Sequence, residues 1–194
     1  LLTKTFGEFA SAVVAKASGG SDDHNSWLSL VDESQKWGKL AALDAPTFVF
    51  FPQAGSSPKQ YAQLYTELSK RVSPARYLFV QPPGRDSRAD EPNEADVHKF
   101  IGQCVDALKP YLIGSESKDG PTCFIGDSWG AIAAFAVAHE LRACCGSTPT
   151  HVLVSGNASP QLTSKHFGLG SYSSTPMAKL SDADLIGFLK AGLP

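Results

Sequence analysis

Gly126-Asp127-Ser128-Trp129-Gly130 sets a serine between two glycines, with the apolar stretch 122–125 before it and the small-residue run 131–134 after it. A serine hydroxyl attacks an acyl carbonyl efficiently only when a base takes its proton and donors hold the oxyanion that forms. The pattern G-x-S-x-G at the handover from strand to helix supplies the geometric part of that requirement. Side chains at either glycine would collide with the adjoining strand and helix, while the sharp turn exposes Ser128 at a helix N-terminus. There the helix dipole and the Trp129 N–H face a developing oxyanion. Alone, the pentapeptide also fits a glycine-rich turn with an incidental serine, so its surroundings decide.

Two further loops belong to those surroundings. A second oxyanion donor is expected from the loop after an earlier strand, and FFPQAGSSP (50–58) directly follows the apolar run TFVFF. Its backbone N–H groups at Gln53 and Ala54 are the candidates. The other loop is VQPPGRDSRADEPN (80–93), where Pro82-Pro83-Gly84 makes a rigid turn. Arg85 and Arg88 either tie this loop internally, to Asp86, Asp90 or Glu91, or form a basic edge near the pocket that would meet an acidic carrier domain.

The elements that must position these loops are legible as alternating runs. TFVFF (47–51), YLFVQ (77–81), TCFIG (122–126) and HVLVS (151–155) lack polar alternation and predict buried parallel strands. Between the first two, Tyr61, Leu64, Tyr65, Leu68 and Val72 share a helical face. Between the second and third, Val97, Phe100, Ile101, Cys104, Val105 and Leu108 do the same, with Pro110 expected to end the run. A helix follows Ser128, and another is expected to open at Ser181, capped through Asp184. Alternation of strand and helix predicts an α/β fold. Residues 156–178, rich in Gly, Ser, Thr and Pro, read as a long irregular excursion of the kind that forms lids.

Residues 1–44 are read as a short helix over Leu2 to Ala17 followed by a linker that precedes the main domain of 45–194; a terminal helix of that same domain fits equally well. Lys+Arg 17 against Asp+Glu 19 gives a net charge of −2, with no basic concentration suited to nucleic acid. The longest apolar run, 131–138, is far short of the ~18 to 20 residues of a membrane-spanning helix, so a protein without a membrane segment is expected. The four cysteines, Cys104, Cys123, Cys144 and Cys145, show no metal-ligand spacing, and two fall on apolar faces, as reduced thiols in a cytoplasmic compartment would.

With these stretches in order, the sequence resembles the type II thioesterases of polyketide and non-ribosomal peptide synthesis, and the related medium-chain fatty acyl thioesterases. The resemblance is carried by FPQAGSS (51–57), PGRDSR (83–88), GDSWGA (126–131) and HVLVSGNASP (151–160), and spans residues 46 to about 194. SDADLIGFLKAGLP (181–194) looks like the helix that leads into that family's lid. The resemblance implies an α/β-hydrolase fold with a mostly parallel sheet and a helical lid. It further implies Ser128 as the nucleophile of an acyl-enzyme, an acyl group on phosphopantetheine as substrate, an acyl carrier protein or carrier domain as partner, and no metal or organic cofactor. A helix and linker at the start would suit a thioesterase domain behind a carrier domain in a larger synthase.

Two departures stand out: Asp127 replaces the family's usual histidine, and Trp129 is bulkier than the usual residue and would narrow an acyl channel. GDS also occurs in hormone-sensitive-lipase-like esterases, but those carry an HGGG loop where this chain has FPQAGS.

In this fold the catalytic triad runs Ser, then Asp or Glu, then His. After Ser128 the aspartates are Asp182 and Asp184, while His139, His151 and His166 all come earlier. His24 and His98 precede the serine altogether, and Glu140 belongs on the helix leaving the turn. No such triad can be built from these residues. The resemblance implies an aspartate and a histidine on loops after later strands, so the 194 residues are expected to be roughly the first two-thirds of the domain, incomplete at the C-terminus. A non-catalytic module that binds acyl groups or carrier proteins, and a carboxylesterase of the same fold, are the competing functional readings.

Overall fold

The computed structural model describes residues 27–32, 45–113, 120–157, 181 and 183. Residues 27–157 belong to one of the two units into which the chain divides, and 181 and 183 to the other. The helix expected over Leu2–Ala17, the excursion beyond Asn157 and nearly all of the helix expected from Ser181 lie outside the described residues.

Within the first unit the order is β1 (Leu28–Asp32), β2 (Thr47–Phe51), α1 (Ala62–Arg71), β3 (Arg76–Val80), α2 (Val97–Leu112), β4 (Thr122–Asp127), α3 (Trp129–Cys145) and β5 (His151–Ser155). Single 3-10 turns at Pro58–Tyr61 and Asp86–Arg88 interrupt the loops after β2 and β3. The strands form one sheet in the order β1-β3-β2-β4-β5, parallel except for β1.

Each inner strand is apolar on both sides because each side has its own cover. Val49, Phe51, Leu78, Val80 and Phe124 face one layer with Phe100, Cys104 and Leu108 of α2 and Val137 and Leu141 of α3. Phe48, Phe50, Tyr77, Phe79 and Ile125, one residue out of phase along the same strands, face the other layer with Tyr61, Tyr65 and Leu68. The two-residue period of a strand thus feeds two cores, which is why polar alternation is missing. Phe50 stacks on Phe79 with centroids 4.7 Å apart, and Phe51 meets Phe124 at 5.2 Å. Each such fully buried ring contributes about 1.5–3 kcal/mol relative to an exposed one.

Several expectations need correction. β1 lies in the stretch read as linker, so the sheet begins before residue 45. It pairs antiparallel to β3, with Leu28 opposite Val80 and Asp32 opposite Arg76. Five residues of mixed polarity between charged stretches give only a weak strand signal, because only one neighbour has to be satisfied at a sheet edge. The second run is shifted by one, to Arg76–Val80. β5 is a strand as expected but not a buried one: Val152, Leu153 and Val154 are exposed, since among the described residues β5 has β4 as its single partner. Leu64 and Val97 are likewise exposed, at the solvent side of α1 and in the first turn of α2. Pro110 does not end α2 but sits inside it, near its C-terminus, and the helix continues to Leu112. The start of α2 is set by Asp96, whose carboxylate accepts from the His98 and Lys99 N–H groups at 2.8 and 3.2 Å.

The alternation of cores makes a sharp expectation. Phe124 is fully buried between β2 and the two helices of one face. Phe124→Ala is expected to destabilise the protein by about 3–5 kcal/mol, whereas Leu153→Ala on exposed β5 should change stability by no more than about 0.5 kcal/mol; urea unfolding midpoints of the two variants check this.

Candidate active site

The chain reverses its direction of travel across the sheet between β2 and β4. From β2 it crosses to β3 on one side, and from β4 to β5 on the other, so the loops leaving the two neighbouring strands diverge and open a crevice at their carboxyl ends. Such switch points are where open α/β sheets bind ligands. The loop after β2 carries Gln53 and Ala54; the turn after β4 carries Ser128.

Ser128 has φ 55° and ψ −118°, a conformation that L-residues rarely adopt, immediately before the first residue of α3. The strain is held by its backbone. Ser128 N–H donates to Ser155 O at 2.9 Å, and Ser128 O accepts from Ala131 N–H at 3.0 Å and from Asn157 Nδ2 at 2.9 Å. Both glycines are obligatory for a steric reason. A Cβ on Gly126 would overlap Gly130 O and lie 2.8 Å from Ala131 N; a Cβ on Gly130 would overlap Phe51 O and lie 2.8 Å from Pro52 O. The Ser128 side chain makes no capping bond to α3.

Trp129 opens α3, so its N–H is one of the helix's unpaired first-turn donors. Ala54 and Trp129 line one cavity of about 210 Å³. Of the two expected donors on the loop after β2, Gln53 N–H is already taken by Gln60 Oε1 at 2.9 Å, whereas the Ala54 N–H has no hydrogen-bond partner among the described residues. The Trp129 indole lies edge-on to Phe100, with centroids 6.1 Å apart, and forms part of the same cavity wall.

Arg88 is buried, and its role is internal. Its Nε and Nη2 donate to both carboxylate oxygens of Glu91 at 2.7 and 2.6 Å, its Nη1 donates to Gln81 O at 2.9 Å, and its guanidinium stacks 4.8 Å from the centre of the Trp27 ring. These hydrogen bonds hold the Glu91 carboxyl below its ordinary pKa. As a basic edge Arg88 is therefore corrected to a loop tie. Arg85, by contrast, lines the cavity that also contains Ala54 and Trp129.

Three residues near the site carry no clear signal in the sequence. Gln81 is buried and donates through Nε2 to Arg85 O at 2.9 Å, fixing the Pro-Pro-Gly-Arg turn. Asn157, just past β5, clasps the serine turn as described, with its Oδ1 buried and unpaired among the described residues. Tyr61 donates its hydroxyl to Phe51 O at 2.7 Å, beneath the loop that carries Ala54. Burial first, and the nearby Asp127 carboxylate second, push the Tyr61 hydroxyl up to about 12. Asp127 itself accepts from Ser155 Oγ at 2.7 Å.

None of the histidines among the described residues meets Ser128. His98 is in the first turn of α2, His139 lies about three turns into α3, and His151 opens β5, paired with Cys123 at the far end of the strand from Ser128. His24 and His166 lie outside the described residues, as does Asp182. Among the described residues no cluster of His, Cys, Asp or Glu could hold a metal ion, and no helix is long and apolar enough to cross a membrane. All four cysteines are free.

Residues 46–172 match the family model of the thioesterase domain. The chain belongs to the thioesterase domain family. This thioesterase domain is 36% identical over 124 residues to a protein named probable cadicidin biosynthesis thioesterase of Streptomyces griseus, covering 63% of this chain and 31% of that one. It is 33% identical over 122 residues to the thioesterase PikA5 of Streptomyces venezuelae, covering 63% of this chain and 41% of that one. Among solved structures, the type II thioesterase BorB of the borrelidin cluster superposes with a TM-score of 0.63 at 23% identity, over 88% of this chain and 62% of that one. The fold is that of the α/β-hydrolase thioesterases. The chain spans less than half the length of the two named relatives it matches in sequence.

Two measurements probe the site's frame. Gly130→Ala should destabilise the domain by about 1–3 kcal/mol or more through overpacking against β2, while Ala54→Gly should not; thermal unfolding compares them. For Tyr61, a pKa raised from 10 to about 12 in the folded state means that the unfolded chain loses this proton first. The stabilisation is complete below pH 10 and is lost as pH rises toward 12. Tyr61→Phe should remove that part of the alkaline loss and cost about 1 kcal/mol at neutral pH for the missing hydrogen bond, as followed by tyrosinate absorbance and urea unfolding.

Proposed function

We propose that this protein is a serine thioesterase that hydrolyses, or transfers, acyl groups held as thioesters on the phosphopantetheine arm of an acyl carrier protein or carrier domain, in cytoplasmic polyketide, fatty acid or non-ribosomal peptide biosynthesis. The observation that carries this reading is the backbone of Ser128, held at φ 55° between two glycines that admit no side chain, at the head of α3 and at the sheet's switch point. The family match and the thioesterase names of its relatives support it.

In the proposed reaction the Ser128 hydroxyl oxygen attacks the thioester carbonyl while its proton passes to a general base. The oxyanion receives the N–H groups of Trp129 and Ala54. Collapse breaks the C–S bond, the thiol leaves with a proton, and the acyl group stays on Ser128 as an oxygen ester. Water, or another acyl acceptor, then attacks that ester. The base is a histidine oriented by an aspartate, as in the family; the described histidines are too far along their elements to serve. Such a reaction runs with protein groups and water and needs no metal or organic cofactor.

A fluorophosphonate probe should label the protein but not its Ser128→Ala variant, and hydrolysis of acyl-pantetheine should fall by about a thousandfold or more in that variant. Equal labelling of the two proteins, or no labelling of the folded protein, would leave a binding module as the surviving reading. A preference for oxygen esters over matched thioesters would point to a carboxylesterase.

A further inference from the structure

We propose that Arg85, with Lys59 beside it, binds the phosphate of the phosphopantetheine arm in the groove just outside the cavity of Ala54 and Trp129. The identity of the arm rests on the thioesterase reading above; the anion site does not.

Arg85 is shared by two cavities. The inner one, about 210 Å³, contains Ala54 and Trp129. The outer one, about 410 Å³, is lined by Gly55, Ser56, Ser57, Lys59, Arg85 and Asp86. Among the described residues the Arg85 guanidinium has no hydrogen-bond or ion-pair partner, and Glu94, the acid that lines the inner cavity with it, is paired with Lys99 at 3.0 Å. Asp86, the nearest acid in sequence, is paired with Lys59 at 2.5 Å, and Glu91 belongs to Arg88. An unpaired planar guanidinium offers two parallel N–H donors, the match for two oxygens of a phosphate.

The groove is arranged rather than incidental. The Lys59–Asp86 pair joins the loop after β2 to the loop after β3, and so fixes Arg85 opposite the Gly55-Ser56-Ser57 backbone. Asp86 is mostly covered, at 16% exposure, while Lys59 keeps 43% and has two more ammonium donors to offer. Gln81 pins the Arg85 carbonyl from beneath, so the loop is held while the side chain is left to a ligand. Two cations against one covered carboxylate leave the groove with a net positive charge.

The geometry of the substrate completes the argument. A thioester carbonyl must enter the inner cavity to reach the N–H groups of Ala54 and Trp129. The phosphate, separated from the sulfur by the whole pantetheine arm, must then remain outside, and Arg85 stands on the boundary between the two spaces. The arm itself is amide-rich and uncharged, so the phosphate is its one group that calls for a cation.

Calorimetric binding of 4′-phosphopantetheine, pantetheine and inorganic phosphate to the protein, to Arg85→Gln and to Arg85→Lys tests this independently of turnover. Phosphopantetheine should bind roughly ten- to hundredfold tighter than pantetheine, the size of a charge-assisted hydrogen-bond pair. Arg85→Gln should erase most of that difference and Arg85→Lys only part, with unchanged melting temperatures. Failure of phosphopantetheine to bind, equal binding of phosphopantetheine and pantetheine, or equal weakening of both by Arg85→Gln would overturn the site. Inorganic phosphate binding as tightly as phosphopantetheine would overturn its assignment to the arm in favour of a free anion. Tight, Arg85-dependent phosphopantetheine binding without any Ser128-dependent hydrolysis would keep the site and reject the enzyme.

Discussion

Everything at the carboxyl end of this sheet depends on how closely α3 is pressed against β2. The first turn of the helix lies with Gly130 on the carbonyls of Phe51 and Pro52, at a separation that no Cβ could share. That contact sets the height of the helix start, and with it the Trp129 N–H, relative to the loop that supplies Ala54. The same constraint forces the chain to leave β4 by a turn too tight for ordinary backbone angles, and Ser128 absorbs the difference. Strain at the serine is thus the result of a packing decision made two residues later.

A second tier of contacts keeps the frame from relaxing. Tyr61 anchors the Phe51 carbonyl from the opposite face, Ser155 and Asn157 grip the serine turn from β5, and Asp127 is tied to Ser155. The aspartate that stands where the family usually has a histidine is therefore part of the link between β4 and β5, not a spare acid beside the nucleophile. On the other flank, Trp27 carries the Arg88 guanidinium on its ring and meets Phe100 at 5.3 Å, so residues ahead of the parallel strands brace the loop of Arg85.

How much of this can be read from the sequence follows from how local each cause is. β2, β3 and β4 are legible because burial on both faces imposes continuous apolar runs, and the serine turn because steric exclusion leaves only glycine at 126 and 130. β1 escapes because an edge strand answers to one partner, and LSLVD has no two-faced pattern to announce it. Leu64 and Val97 look like core by spacing alone, yet a helix turns its stripe only as far as its neighbours require. The distinction between Arg85 and Arg88 is equally invisible in PGRDSR, since it arises from where Trp27 and Gln81 sit, far away in the chain or hidden beneath the loop. Gln60 illustrates the same limit: nothing in its neighbourhood of sequence says that it will occupy the N–H of Gln53.

The strand order also has a bearing on how the molecule is made. β1 precedes the other described strands and, among the described residues, pairs with β3 alone, while β2 has one neighbour in β3 and the other in β4, with Thr47 opposite Thr122. The centre of the sheet therefore closes late, after the segment containing the serine turn has been synthesised. Until then the aromatic-rich strand TFVFF has β3 as a partner on one edge and nothing yet on the edge that β4 will take. Growing chains of this protein pass through a stage in which one edge of β2 is unpaired, and non-local pairing of this kind slows folding. The late seam between β2 and β4 is the same one at which the sheet opens its crevice.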